Sequence, residues 1–336
     1  MTHRRDHALV VCALSAVAGV VLLAPASASG QNRDAAADQW TLPRTGDGRP
    51  DLQGVWDFRS LTPLQRPSDL ADTELFTDEE AAQFQLETVA QLDKDRAGPD
   101  GRIPLSGGYN EFWYDYGKQL TAGRRTSLIV DPSDGRIPSL TPDARTRADA
   151  RRTALGRPAW GPEDRGAYER CIAGFNAGPP MNPSAYNNNM QLFQTADYVV
   201  ILNEMVHDAR VIPLDDRSHL PTHVRQWHGD SRGHWDGDTL VVDTRNYTDK
   251  TNFRGSGQHV HLVERFTRVG ANTLLYEYTI EDPASFGGHW SAAIPMMKND
   301  APLYEYACHE GNYGMHNLLV SARSNDETAA ANPPAR

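Results

Sequence analysis

From residue 191 onward, apolar and polar positions alternate in short runs, the two-residue period of half-buried strands. The runs cover 191–195, 197–206, 209–215, 224–229, 233–247, 259–269, 273–282, 290–297 and 303–310. Turn chemistry separates them. Trp235-Asp236-Gly237-Asp238 and Val269-Gly270-Ala271-Asn272 join alternating runs as hairpin turns. Short sequential strands with tight turns predict an antiparallel up-and-down barrel or a sandwich.

The earlier half follows other rules. Residues 51–60 predict a first strand, and 76–95 a helix in which Thr77 and Glu80 form a capping box. Phe84, Val89 and Leu92 give that helix a partial apolar face. Residues 110–117 and 125–141 predict strands, the second bent at Pro132-Ser133-Asp134-Gly135. Thr141 caps a short helix that has Pro142 at its first position and runs towards Leu155. Residues 156–190 are rich in Gly, Pro and Asn but also hold Cys171 and several aromatics. That mixture predicts an ordered loop packed on the barrel, over its mouth, rather than a linker.

Charge and targeting change the picture next. Arg4 and Arg5, the apolar run Ala8 to Ala24, and the small residues Ala26 and Ala28 compose a signal peptide over 1–28. A retained N-terminal anchor is the other reading of this segment. The expected organisation is a lead-in over 29–50, one β-barrel domain with N-terminal helical and strand additions over 51–325, and a disordered tail over 326–336. The expected location is the periplasm or the medium, with no stable membrane insertion. The net charge of −11 excludes nucleic acid as a partner. Cys12 leaves with the signal peptide, so Cys171 and Cys308 remain, and an even pair in an exported chain reads as a disulfide. Two separate buried thiols are the alternative.

The ten histidines outside the signal peptide all lie between 207 and 316, inside the meander. A functional mouth or a metal site accounts for that clustering. His219, His223, His228 and His234 sit near Pro, Gly or Asp and read as loop residues. His259 and His261, two apart on a strand, share one face and form a candidate metal pair. Glu264 lies three beyond His261, so an unbulged strand turns it to the other face. A strand-edge pair of half-exposed histidines is the plainer reading. Glu204, His207, Asp208 and Arg210 crowd one stretch. They offer a carboxylate–imidazole couple for proton transfer, or a buried carboxylate–arginine pair. His309 and Glu310 follow Cys308, and nearby glycines let Asn312 and Tyr313 fold back over a pocket. Tyr186 and Asn188 belong to an amide-rich loop of the kind that binds polyhydroxylated ligands or simply makes turns. Trp227 and Arg265 complete the ligand-contacting set, and Trp235, Phe266, Tyr276 and Tyr278 are the expected pocket lining. No G-x-S-x-G, P-loop, dinucleotide fingerprint or H-E-x-x-H occurs.

The strings GRPDLQGVWDF, GPPMNPSAYNNN, NEMVHDARVIPLD, GDSRGHWDGDTLVVDT, HLVERFTRV and YEYACHEGNYGM resemble a family of exported proteins from soil and environmental bacteria. The resemblance implies export and a β-rich fold, and implies no reaction. Gly54-Val55-Trp56 resembles the Gly-x-Trp that opens lipocalin barrels, whose Trp plugs one end. The meander is similar to such barrels by pattern. The expected fold is therefore mainly β, an antiparallel lipocalin-like (calycin-type) barrel with a few peripheral helices. The expected function is an exported enzyme using His207, His309, Glu204 and Glu310 for acid–base chemistry on a small organic molecule or sugar derivative. Lyase, isomerase and hydrolase chemistry all fit, and a divalent metal is compatible. The alternative is a periplasmic binding protein for an apolar or polyhydroxylated small ligand.

Overall fold

The computed structural model describes residues 40–97 and 111–331. The expected signal peptide over 1–28 and half of the lead-in, residues 29–39, lie outside the described residues, as do 98–110 and the last five positions. Ten strands form one antiparallel sheet. They are β1 (Gly54–Asp57), β2 (Ile129–Asp131), β3 (Asn189–Gln194), β4 (Tyr198–Asn203), β5 (Ala209–Pro213), β6 (Asp230–Asp236), β7 (Thr239–Arg245), β8 (His261–Gly270), β9 (Thr273–Glu281) and β10 (Trp290–Asn299). Their order is β5-β4-β3-β1-β10-β9-β8-β7-β6, with β2 paired to β10. Three helices accompany them: α1 (Asp78–Leu92), α2 (Pro142–Leu155) and α3 (Tyr313–Ala331).

Alternation does what the sequence predicts. Leu262, Glu264 and Phe266 of β8, Leu274, Tyr276, Tyr278 and Ile280 of β9, and Trp290, Ala292, Ile294 and Met296 of β10 are buried. The apolar ones, with Trp56 and Phe58, occupy the inside of the curved sheet as one core. Tyr276, Tyr278 and Phe266 are thus packed core rather than the lining of a hollow. Trp56 is fully buried, donates Nε1–H to Leu52 O at 2.9 Å, and lies beneath the Arg268 guanidinium 5.6 Å from its ring centre.

The sheet is not closed into a barrel. Edge strands β5 and β6 approach each other but are not hydrogen-bonded neighbours. At one end of this seam, Gly233 lets β5 pack directly on β6. A Cβ there would lie 2.7 Å from Leu214 Cδ2 and 3.0 Å from Ile212 Cγ2. At the other end, β6 binds the segment before it instead: Leu220 N–H donates to Asp230 Oδ2 at 2.8 Å and Arg232 Nε to Ser218 O at 3.2 Å. The strands splay there and leave a cleft.

Several local expectations change. Residues 303–310 form no strand. β10 ends at Asn299, opposite Val55 near the start of β1, and the chain beyond joins no strand; alternation alone cannot make a ladder. Residues 111–117 are irregular apart from one short turn of helix, and within 125–141 only Ile129–Asp131 forms a strand, with single bridges from Arg125 to Leu75 and from Leu140 to Phe286. Residues 224–229 supply one bridge, Gln226 to Tyr247. α3 extends through 326–331, where a disordered tail was expected. The predicted caps hold. Thr77 Oγ1 accepts from Glu80 N while Glu80 Oε2 accepts from Thr77 N, and Thr141 Oγ1 accepts from Ala144 N.

Candidate functional site: the seam cleft

Cys171 and Cys308 form a disulfide with Cα atoms 5.6 Å apart, tying the Gly/Pro/Asn loop to the chain after β10. A small cluster of Ala177, Met205 and Val206 packs against Tyr186, Tyr306 and Cys308 beside it. The structure brings several predicted site residues here. His207 Nδ1 lies 3.2 Å from Tyr306 O, and Asn312 Nδ2 donates to Glu169 O at 3.2 Å. Tyr186 shares a hydroxyl contact of 3.1 Å with Tyr168. His309, Glu310 and Tyr313 are exposed. Glu204 is buried and accepts from Asn189 Nδ2 at 2.7 Å. Asn188 is buried and spends its amide on the protein, accepting from Ser184 N and Asn176 Nδ2 and donating to Asp115 O and Ser184 O.

The other predicted residues lie elsewhere. His259 precedes β8 rather than sharing its face with His261, and borders a cleft beside α2. Among the described residues, no group of three or more His, Cys, Asp or Glu is placed to hold a metal ion. Arg265 is half-exposed and pairs with Asp236 at 2.9 Å. Glu264 faces inward, as its spacing from His261 requires, and there it meets Arg210. Arg210 Nη2 donates to Glu264 Oε1 at 2.9 Å and Nη1 to Oε2 at 2.5 Å, while Tyr276 Oη donates to Oε1 at 2.8 Å. Burial opposes the Arg210 charge, but the Glu264 carboxylate outweighs it and holds the guanidinium above its ordinary range. Burial, then the same carboxylate, pushes the Tyr276 phenol well up.

Two histidines are fixed by carboxylates on the outer face of β7–β9. His261 Nε2 is 2.6 Å from Asp243 Oδ2, and its Nδ1 is 3.0 Å from Glu281 Oε2. His219 Nδ1 is 3.0 Å from Asp230 Oδ2, and its Nε2 is 2.8 Å from Asp243 Oδ1. The Asp243 hydrogen bond raises the His261 imidazole above its usual value. Partial burial pushes Asp243 up, but hydrogen bonds from His261 and Arg245 prevail and bring it well below the usual carboxylate range. Both ring nitrogens of each are occupied and none is left for a ligand; His219 fastens the 214–229 segment to the sheet, and His261 links β7, β8 and β9.

His228 differs. Its Nδ1 lies 2.8 Å from Asp208 Oδ2, whereas its Nε2 is buried and has no hydrogen-bond partner. A carboxylate beside one ring nitrogen favours the proton there and leaves the other as a base. The backbone fixes both members. Thr251 Oγ1 donates to Trp227 O at 2.6 Å, and Gln226 N–H to Asn246 O at 2.9 Å. Gly229 turns the chain at φ +70°, where a Cβ would lie 2.7 Å from Arg245 O. Asp208 follows Val206 and His207, both at positive φ, a conformation a β-branched residue such as Val206 seldom adopts.

The couple borders the seam cleft, about 560 Å³, with Arg210, Arg225, Trp227 and Arg232 on its walls. Arg232 is paired with Asp230 at 2.6 Å. Arg225 instead donates Nη1 to two carbonyls, Tyr247 O at 3.0 Å and Gln258 O at 2.8 Å. Trp227, predicted as a ligand contact, sits at this cleft with the Arg170 guanidinium 5.9 Å from its ring centre.

No family model and no curated protein matches the chain. Among solved structures it is similar to the crystal structure of a point mutant of the fluorescent protein UnaG, with a TM-score of 0.22 and 12% identity over 40% of this chain and 88% of that one. A likeness at that level carries no argument about ligand or activity.

The sequence pointed away from His228, because neighbouring Gly229 marks a loop. Asp208 stood out in its charged stretch, but its partner lies twenty positions on in a different segment. The adjacent Trp227-His228, an aromatic and an imidazole in one turn, was the available signal.

Proposed function

We propose that the protein is an exported enzyme that transfers a proton on a small anionic organic molecule or sugar derivative held in the seam cleft. His228 is the base, Asp208 orients its ring, Arg225 receives the anionic group, and Trp227 supplies apolar surface. The observation that carries this reading is the buried, unpartnered Nε2 of a ring whose other nitrogen faces a carboxylate. An orphaned buried acceptor costs about 1–3 kcal/mol, which a ligand's proton would offset. A base that shares a cleft with a guanidinium suits removal of a proton from the carbon beside a carboxylate, so lyase or isomerase chemistry fits better than hydrolysis. The disulfide supports an oxidising compartment, the periplasm or the medium.

The test is deuterium uptake from heavy water at the carbon beside the carboxylate, followed by proton NMR over a panel of small carboxylates and uronates. His228→Gln should lower the exchange rate at least about a hundredfold with the melting temperature kept. His207→Ala and His309→Ala should leave it unchanged. Exchange by His228→Gln at the wild-type rate would refute the assignment. Saturable binding with no exchange by the wild type would favour the binding-protein reading.

A further inference from the structure

The seam cleft continues beyond His228. Trp227 also walls two neighbouring clefts, one under the 166–180 loop and one beside the end of α2. Arg151 walls both of these and a fourth cleft of about 370 Å³ between α2 and the 249–259 segment. Shared walls make the four one furrow across the protein.

Its charges are unusual for a chain of net charge −11. Arg225, Arg170, Lys250, Arg151 and Arg147 follow one another along it, and none has a carboxylate at ion-pair distance among the described residues. They are held by neutral groups instead. Arg151 Nη2 donates to Lys250 O at 2.8 Å, and Arg147 Nη2 donates to Ser285 Oγ at 3.0 Å. Arg147 and Arg151 are one turn apart on α2, so they stand about 6 Å apart along its axis on one face. Most carboxylates on the furrow are already engaged: Asp230 with Arg232, Asp208 with His228, Asp164 with the N–H groups of Trp160 and Gly161. Asp249 and Glu163 remain, fewer than the free cations. Neutral amides, Gln226, Asn252 and Gln258, lie between.

We propose that this furrow binds an extended oligosaccharide with repeated carboxylates, a uronate oligomer, with one sugar at His228. Successive cations without carboxylate partners match a chain that repeats its charge, and the amides match its hydroxyls. This deepens the acid–base reading and rests on it for the chemical step alone. That step is an elimination. His228 Nε2 takes the proton from the ring carbon bearing the carboxylate, and the freed electron pair becomes a carbon–carbon double bond to the neighbouring ring carbon. The bond from that carbon to the glycosidic oxygen breaks, and the departing oxygen takes a proton from water.

The experiment uses the purified full chain with galacturonate oligomers from monomer to hexamer, and carboxyl-reduced oligomers of the same lengths. Binding is read by calorimetry at two salt concentrations, and product by the ultraviolet absorbance of the unsaturated sugar. Affinity should rise with length, fall with salt and vanish for the reduced oligomers. Arg151→Gln and Arg147→Gln should each weaken the hexamer roughly three- to tenfold and leave the monomer unaffected. Equal affinity for all lengths, or equal binding of reduced oligomers, would overturn the furrow, and needs no variant to fold. An acidic peptide or single-stranded DNA binding more tightly through the same arginines would overturn the choice of ligand. Length-dependent binding without unsaturated product would leave the furrow standing and remove the catalytic role of His228. Monomer exchange without length dependence would do the reverse.

Discussion

The Arg210–Glu264 pair gives a prediction whose size follows from the coordinates. The Glu264 side chain is fully buried and that of Arg210 is 9% exposed. They join β5 to β8 across the inside of the curve, and Glu264 also accepts from Tyr276. Changing Glu264 to Gln keeps the shape but leaves a buried guanidinium without its counter-charge, at a cost of about 3–5 kcal/mol. With an unfolding entropy of about 2.1 cal/mol/K per residue, a chain of this length shifts its melting temperature by somewhat under about 2 °C per kcal/mol, so the loss should be roughly 5–10 °C. Arg210→Met strands the carboxylate and should cost a similar amount. The double variant, Arg210→Met with Glu264→Leu, removes both charges and should recover most of the loss, because a buried pair replaced by apolar groups is often neutral. Urea unfolding of the wild type, Arg210→Met, Glu264→Leu and the double variant, with the disulfide intact, completes a double-mutant cycle. Additive losses in the double variant, or single losses below about 1 kcal/mol, would refute the claim that this pair bridges a water-poor interior.

The remaining predictions concern the staples around the cleft. His261 has a raised folded value, so its contribution is full below about pH 6.5 and is lost as pH rises through the folded value. The urea midpoint should therefore decline above pH 6.5 in the wild type and less so in His261→Gln; a parallel decline in both would count against the staple. Asp243, lowered in the folded protein, gives the opposite limb, with stability falling as pH drops below 3.8, and Asp243→Asn should flatten it. Reducing Cys171–Cys308 opens a loop with a sequence separation of 137, worth about 5 kcal/mol in the chain-entropy description, measurable as a drop in urea midpoint on adding a reductant. Gly233→Ala should cost about 1–3 kcal/mol, since its Cβ meets Leu214 and Ile212, and an unchanged midpoint would show that the closed end of the seam can open freely.

Much of the fold was legible because its determinants are local. The alternating runs at 261–269 and 273–281 became β8 and β9 with the expected faces, and Thr77 and Thr141 capped their helices. Where alternation failed, at 303–310, the residues were suitable, but the chain had left the sheet after Asn299 and joined no strand. The pairing of Cys171 with Cys308 was legible from cysteine arithmetic alone. The candidate site was not. His207, Tyr186 and Asn312 gather by the disulfide while His259 and His261 face separate surroundings, and periodicity does not encode such meetings.

The sequence by itself determined the strands from β3 to β10, which side of them is apolar, and that the chain carries excess negative charge. A period of two and a cap depend only on neighbours in the chain. Tertiary structure decided that the sheet stays open between β5 and β6, that His219 and His261 are spent on carboxylates while His228 keeps a free nitrogen, and that scattered arginines line one furrow. Those outcomes depend on the curvature of the whole sheet and on contacts between residues far apart in the chain, where small displacements decide which polar group finds a partner.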